Sequence, residues 1–146
     1  MSDRPAFPTE ATELVAWLDE RGRDSLPGLL GIEIVELVRS RCVMRLQIEQ
    51  KHFASNGYLH AASVVALADT ATGYGTVASL PEGATGFTTI ELKSNHIGTA
   101  SKGWLVAHAN LAHGGRTTQV WDATVTAEHT GKTVALFRNT QLILYP

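Results

Sequence analysis

Alternation of apolar and polar residues is the clearest pattern in the chain, and it is strongest in the C-terminal half. Residues 121–128 read WDATVTAE, so that every second side chain is apolar. A period of two is expected of a β-strand with one buried face and one face in water. Strand-like stretches at about 87–97, 103–112, 116–129 and 132–144 predict four strands, with glycine-containing turns between the later ones.

A short amphipathic helix is predicted near the N-terminus. Leu14, Trp17 and Leu18 recur at helical spacing, and the pattern ends at Gly22. Thr9 is the expected N-cap, because a threonine hydroxyl can accept a hydrogen bond from the free amide groups of the first turn.

Two strands are predicted next. Ile32 and Ile34 lie on either side of a glutamate, and residues 41–48 (RCVMRLQI) again place an apolar side chain at every second position. Two such stretches close together indicate a hairpin. The preceding segment 26–29 (LPGL) is typical of a turn, because proline and glycine both favour turns.

The stretch from His60 to Leu80 predicts a long buried helix. Its side chains are mostly small or apolar on all sides, as expected of a helix that other elements cover. It also contains Asp69 and several hydroxyl groups, which make it too polar to span a membrane.

The order of these elements indicates an α+β fold with a single domain, residues 1–146. A helix, two strands, a long helix and four strands suit an antiparallel sheet of about five or six strands curved around the central helix. We expect residues 1–25 to comprise the N-terminal helix and an extension. A length of 146 residues, of which 44% are hydrophobic, is sufficient for one buried core.

The charge of the chain limits its partners, and its cysteine content indicates its compartment. A formal net charge of −2 supplies no basic surface for a nucleic acid backbone or an anionic membrane. The single cysteine, Cys42, cannot form an internal disulfide, which suits a reducing compartment. Residues 1–5 lack the pattern of a signal peptide, so we expect a cytoplasmic protein.

Asp69 is the strongest candidate for chemistry. An ionised carboxylate within an apolar helix costs several kcal/mol, in order of magnitude, unless something compensates it. Either Asp69 has a functional role or it pairs with a buried group at a subunit contact, and the sequence leaves both interpretations open.

The segment that leads into the central helix is a second candidate. Residues 55–62 (SNGYLHAA) form a turn-rich loop, and the free amide groups of a helix start can bind an oxyanion or a polarised carbonyl. Ala61 and Asp69 are separated by about 12 Å along the helix axis. One small carbonyl therefore contacts both only if they come from different copies of the chain, which predicts at least a homodimer. Small residues that could allow this approach are Ala62, Val65, Ala66, Thr72, Gly73 and Thr76.

Gly57, His60 and Ala68-Asp69 together resemble the central-helix motif of the hotdog-fold acyl-CoA thioesterases of the phenylacetate-pathway type. That family, which includes the enterobactin-pathway proofreading thioesterase, has His-Gly-Gly at the helix start and Asp or Glu nine residues after the His. The resemblance covers about residues 26–144 and implies the hotdog fold. Further similar residues are Thr89-Ile90-Glu91-Leu92, Asn95-His96, Gly115-Arg116, Gln119 and Trp121.

This chain departs from the family pattern at three places. It has His60-Ala61-Ala62 where the family has His-Gly-Gly, which keeps the backbone amides but adds two methyl groups. Ala54 occupies the position of an Asn or Gln, with Asn56 as a possible substitute. Gly73 occupies a position where the family often has Ser or Thr, with Thr72 and Thr76 as nearby substitutes. The site therefore resembles an altered version of the family's.

The resemblance implies a role for each candidate residue. Asp69 would attack the thioester carbonyl or act as general base on water, while the Ala61 N–H of a second chain stabilises the oxyanion. His60 would orient the loop or contact the thioester, His96 would line the acyl pocket, and Arg116 would bind the phosphates of coenzyme A. Asn56 completes the catalytic set, and Gly57, Thr72, Gly73 and Thr89 complete the substrate-binding set.

Three less specific interpretations remain open beside these roles. His60 could be a helix cap, His96 a packed core residue, and Arg116 an ordinary hairpin-tip residue. Lys93, Lys102 and Arg138 are further candidates for a phosphate contact.

The favoured hypothesis is hydrolysis of an aryl, short or medium acyl-CoA by a homodimer or a dimer of dimers, without metal or cofactor. His108 and His113 lack an acidic or cysteine partner at zinc-site spacing. A binding protein for acyl-CoA or acyl carriers is the alternative. A hotdog hydratase or dehydratase is disfavoured, because the Asp and His loop motif of those enzymes is absent from the sequence.

Overall fold

The structure is a computed structural model that describes residues 6–146. Residues 1–5, on which the expectation of no signal peptide rests, lie outside this range. The helices are α1 (Ala11–Gly22), α2 (Leu26–Leu30) and α3 (Ala61–Ala78), with a 3₁₀ turn at Gln50–His52. The strands are β1 (Ile32–Val38), β2 (Arg41–Gln47), β3 (Gly86–His96), β4 (Trp104–Gly114), β5 (Thr118–Ala127) and β6 (Thr133–Leu144).

The six strands form one antiparallel sheet in the order β1-β2-β4-β5-β6-β3. The α+β class, the strand count and the long helix are therefore confirmed. Strand β5 illustrates why the sequence predicts these strands. Its inward residues are buried and alternate with half-buried ones along its whole length. This is the pattern that the sequence shows at residues 121–128.

Helix α3 packs against the inner face of the sheet and fills the core. Val64, Leu67 and Ala71 are almost completely buried. Gly75 permits the closest approach, because a Cβ atom there would lie only 2.6 Å from the Trp121 ring. The C-terminal end of α3 is held to the sheet by Gln119, whose Nε2 donates to the Ser79 carbonyl at 2.9 Å.

Two expectations for the N-terminal region are wrong. Helix α1 has Glu10, not Thr9, as its N-cap, and the Glu10 side chain makes no capping hydrogen bond. The predicted turn at residues 26–29 is the short helix α2. Proline is tolerated in the first turn of a helix, and Gly31, with a φ of 73°, ends α2 in the left-handed conformation that a glycine adopts without strain.

His52 anchors the start of α3, a role that the sequence does not reveal. The side chain is fully buried; its Nδ1 accepts from the Glu49 N–H and its Nε2 donates to the Leu30 carbonyl, both at 2.8 Å. The His52 carbonyl accepts from the Ser63 hydroxyl at 2.9 Å. These bonds tie the first turn of α3 to α2.

Cys42 is completely buried in the core, and burial raises the pKa of its thiol to about 12. A thiol in this environment remains protonated and unreactive at neutral pH.

Within residues 6–146, no helix combines the length and apolar character needed to cross a bilayer.

Candidate active site

Asp69 lies half-buried near the middle of α3, and its carboxylate is held by the neighbouring strand. The Asn139 Nδ2 on β6 donates to the Asp69 Oδ1 at 3.2 Å. Burial raises the pKa of Asp69 above its usual value, and the hydrogen bond from Asn139 opposes this rise. A carboxylate with a raised pKa is a stronger base and nucleophile than one in water.

A pocket of about 240 Å³ adjoins Asp69. It combines residues from α1, α2, α3 and β3, and it includes the predicted residues Gly73 and Thr89. Gly73 faces Phe87 directly, because a Cβ at position 73 would lie 3.3 Å from the Phe87 Cζ. The apolar part of the wall consists of Leu18, Pro27, Val77 and Phe87. Asp69 is thus placed beside a small and mainly apolar cavity.

Thr72 lies behind Asp69 and does not line this pocket. Its side chain is fully buried; its hydroxyl donates to the Asp69 carbonyl oxygen at 3.0 Å and accepts from Asn139 Nδ2 at 2.8 Å. Thr76 is also fully buried, and its hydroxyl donates to the Thr72 carbonyl at 2.8 Å.

This burial corrects the expectation that six small residues form a face open to another helix. Thr72, Gly73 and Thr76 are buried within the chain itself. Only Ala62 is exposed, while Val65 and Ala66 are half-buried.

His60 caps α3, and this changes which amide groups are available. Its Nδ1 accepts from the Ala62 N–H at 2.9 Å. The Ala62 N–H is therefore bound by the cap and does not point outward. The Ala61 N–H, at the first position of the helix, has no intrahelical acceptor.

The loop before α3 is a tight exposed turn. The Ala54 N–H donates to the Tyr58 carbonyl at 2.8 Å, and Gly57 has a φ of 85°, a conformation that favours glycine. The Asn56 Oδ1 accepts from the Tyr58 N–H at 3.2 Å. Asn56 is exposed, and its side-chain oxygen stabilises its own turn.

Neither His96 nor Arg116 lines the pocket beside Asp69. His96 is exposed at the end of β3, 3.1 Å from the Ser94 hydroxyl, so its interpretation as a core residue is wrong. Arg116 lies at the β4–β5 turn, with its guanidinium 5.0 Å from the Tyr145 ring centre. It lines a separate pocket of about 510 Å³. The structure brings together Asp69, Gly73 and Thr89, with Thr72 behind them.

Asn139 is the residue of the site that the sequence analysis missed. A signal for it exists, because residues 137, 139, 141 and 143 of β6 all face inward and two of them are amides. An amide at a buried strand position requires a hydrogen-bond partner. Its partner, Asp69, is 70 residues away in the sequence, and only the fold brings the two together.

The described part of the chain contains no group of three or more His, Cys, Asp or Glu side chains arranged to hold a metal ion. Arg138, the other arginine considered for a phosphate contact, is paired with Asp122. Its guanidinium donates a bidentate pair of hydrogen bonds to the Asp122 carboxylate at 2.5 and 2.7 Å.

Comparison with known proteins identifies the family. The model of the thioesterase superfamily matches residues 56–134, which include the loop, α3 and Asp69. The chain belongs to the thioesterase superfamily. A relative of this superfamily member is the 1,4-dihydroxy-2-naphthoyl-CoA hydrolase of Listeria monocytogenes, which is 33% identical over 99 residues, covering 68% of this chain and 80% of that protein.

Solved structures show the same fold for this thioesterase-superfamily protein. A mutant of thioesterase PA1618 from Pseudomonas aeruginosa matches with a TM-score of 0.83 and 24% identity, over 89% of this chain and 93% of that one. The PaaI protein of the E. coli phenylacetic acid degradation operon matches with a TM-score of 0.76 and 24% identity, over 88% and 93%. The resemblance to the hotdog thioesterases is therefore confirmed at the level of family and fold.

Proposed function

We propose that this protein hydrolyses an acyl-CoA thioester to a free acid and coenzyme A, with Asp69 as the catalytic carboxylate. The observation that carries the proposal is a half-buried carboxylate of raised pKa beside a small apolar pocket, in a member of the thioesterase superfamily. The Listeria relative is named as a hydrolase of a CoA thioester, which supports the same class of substrate.

Two routes are open to Asp69. In the first, a carboxylate oxygen attacks the thioester carbon, the carbon–sulfur bond breaks, and water then hydrolyses the acyl-aspartyl anhydride. In the second, Asp69 accepts a proton from water as the water attacks, and the thiolate leaves with that proton. Both routes consume one water and release one acid and one thiol.

The oxyanion is stabilised in this proposal by Ala61 of a second copy of the chain. Its N–H lies at the positive end of α3 and has no intrahelical acceptor. Asp69 and Ala61 of one helix are about 12 Å apart along the axis, too far to act on one carbonyl. The active unit is therefore a homodimer, or a dimer of dimers.

The acyl group occupies the pocket beside Asp69. A volume of about 240 Å³ suits an aryl, short or medium acyl group better than a long chain. Arg116 is our candidate for a coenzyme A phosphate, because a guanidinium can bind two phosphate oxygens at once. The loop near the thioester is shaped by His60, Asn56 and Gly57. His96, at the end of β3, is proposed to contribute to substrate binding.

A second candidate function is acyl-CoA binding without turnover. It is favoured by one observation, that the Ala62 N–H is bound by His60 and only the Ala61 N–H remains for an oxyanion. Acyl-carrier proteins would present the same thioester to such a site.

The test is release of free thiol from a panel of aryl, short, medium and long acyl-CoAs. We expect wild type to hydrolyse one class, and Asp69→Asn to lower kcat by about 100-fold or more. The matched control is Asp24→Asn, an exposed aspartate whose side chain does not line the pocket, which keeps wild-type activity. Full activity in Asp69→Asn would remove Asp69 from the mechanism, and binding without any turnover would support the second candidate.

A further inference from the structure

Asn139 is a polar side chain that lies almost completely buried beside Asp69. It is only 1% exposed, and it faces inward on β6 between the buried positions Phe137 and Gln141. Its Nδ2 makes two hydrogen bonds, to Asp69 Oδ1 at 3.2 Å and to Thr72 Oγ1 at 2.8 Å. Its Oδ1 has no hydrogen-bond partner among residues 6–146. A fold keeps such an arrangement at a cost in stability, so a function for it should be sought.

Thr72 determines which way the Asn139 amide points. The Thr72 hydroxyl hydrogen is committed to the Asp69 carbonyl oxygen at 3.0 Å, so the hydroxyl oxygen can only accept from Asn139. An amide turned by 180° would place its oxygen against that hydroxyl oxygen and against the Asp69 carboxylate. The observed orientation avoids both repulsions and directs an N–H at the carboxylate.

We propose that Asn139 is a positioning residue that holds Asp69 as the ionised carboxylate with one oxygen fixed, and that Thr72 holds Asn139 in the orientation this requires. The proposal deepens the proposed function and rests on it for the catalytic importance of Asp69. Asn139 itself contacts no substrate in this scheme, because it lies behind Asp69 and not in the pocket wall.

No other group facing Asp69 takes over this role. The neighbouring elements contribute Leu18 from α1, Pro27 from α2 and Phe87 and Thr89 from β3, all of them uncharged. Tyr74 is the other titratable side chain that lines the pocket in the described chain. Its phenol is uncharged at neutral pH, and burial raises its pKa further. The hydrogen bond from Asn139 is the interaction that lowers the pKa of Asp69 against the effect of burial.

The experiment compares Asn139→Leu with wild type in two measurements. The first is the pH dependence of kcat/KM, and the second is the titration of the Asp69 carboxyl by carbon-13 NMR, assigned with Asp69→Asn. We expect Asn139→Leu to move both acidic midpoints upward by about one pH unit, since a hydrogen bond to a charged group has that magnitude. Activity should recover at high pH, which a general loss of structure would not produce.

Three threonine variants supply the controls. They also test the proposal if Asn139→Leu does not fold. Thr72→Val removes the hydroxyl at constant shape and should move both midpoints in the same direction, while Thr72→Ser should restore them. Thr76→Val removes an equally buried hydroxyl that contacts neither Asn139 nor Asp69, and should move neither midpoint.

The two measurements distinguish failure of this inference from failure of the proposed function. An unchanged Asp69 titration in folded Asn139→Leu or in Thr72→Val would overturn the positioning role. A shifted titration in a protein that hydrolyses no thioester would support the effect of Asn139 on Asp69 while removing the proposed reaction.

Discussion

At the scale of single residues, Asp69 is kept at a cost to the fold. Partial burial disfavours its charged form, and one hydrogen bond from Asn139 offsets only part of this effect, since the net pKa is still raised. A group whose pKa is higher in the folded than in the unfolded state makes the protein less stable as pH rises. Asp69 therefore links the chemistry of the site to the stability of the whole chain.

This linkage predicts that Asp69→Asn stabilises the protein at neutral pH even though it lowers the proposed activity. Below the aspartate pKa of the unfolded chain, about 3.9, both states are protonated and the charge imposes no penalty. Above the raised pKa of the folded state, wild type carries a desolvated charge that the variant lacks. We expect the variant's Tm to exceed that of wild type by about 2 to 4 °C at pH 8, and the gain to vanish as pH falls towards 4.

Thermal unfolding followed by circular dichroism between pH 4 and 8 measures this difference. Asp24→Asn, which replaces an exposed aspartate, should show no comparable pH-dependent gain. A lower Tm for Asp69→Asn at pH 8 would contradict the assignment of a burial cost to this carboxylate.

At the scale of elements, the contact between α3 and β5 determines how closely the helix and the sheet approach. Trp121 is completely buried, and its Nε1 donates to Gln119 Oε1 at 2.9 Å, which fixes the ring. Gly75 lies directly against that ring. A fixed aromatic ring cannot move away from an added methyl group, so the space at Gly75 is strictly limited.

We predict that Gly75→Ala destabilises the protein by about 1 to 3 kcal/mol through overpacking, in spite of the better helix propensity of alanine. Gly73→Ala is the matched variant on the same helix, with a Cβ 3.3 Å from Phe87. Phe87 is half-buried and can shift, so we expect a change within about 1 kcal/mol there. Urea unfolding of both variants measures the difference, and equal effects would show that Trp121 is not a fixed wall.

At the scale of the whole molecule, the two edges of the sheet differ. Strand β3 is a long edge strand that pairs only with β6 in the described chain, and it exposes Ile90 and Leu92. A long exposed edge with apolar side chains readily pairs with another chain. We therefore expect the dimer of the proposed function to form along β3.

A matched pair of substitutions tests this expectation. Ile90 on β3 is 57% exposed and Val35 on the opposite edge strand β1 is 55% exposed, and each lies at an irregularity of its strand. We predict that Ile90→Asp shifts the protein to monomers and lowers thioesterase activity by about 100-fold, while Val35→Asp changes neither. Light scattering with parallel kinetics checks both, and an active monomer would contradict the two-chain site.

The elements and the choice of Asp69 as candidate were predictable from the sequence, because both depend on local information. Strand alternation has a period of two whichever strands become neighbours, and the predicted strands differ from the observed ones by one or two residues at most ends. A charge inside an apolar helix is also visible in the sequence alone. The error at α2 arose because Pro27 and Gly28 are compatible with both a turn and the first turn of a short helix.

Only the tertiary structure decided how the site is built around Asp69. Asn139 is 70 residues from Asp69, and Thr89 reaches the same pocket from a strand at the sheet edge. Which amide meets the carboxylate, which threonine faces inward and which helix amide His60 binds all depend on the register and curvature of the sheet. The sequence determined the periodic elements and the presence of a buried charge, and the fold determined the partners of that charge, because hydrogen bonds depend on distances that chain order does not specify.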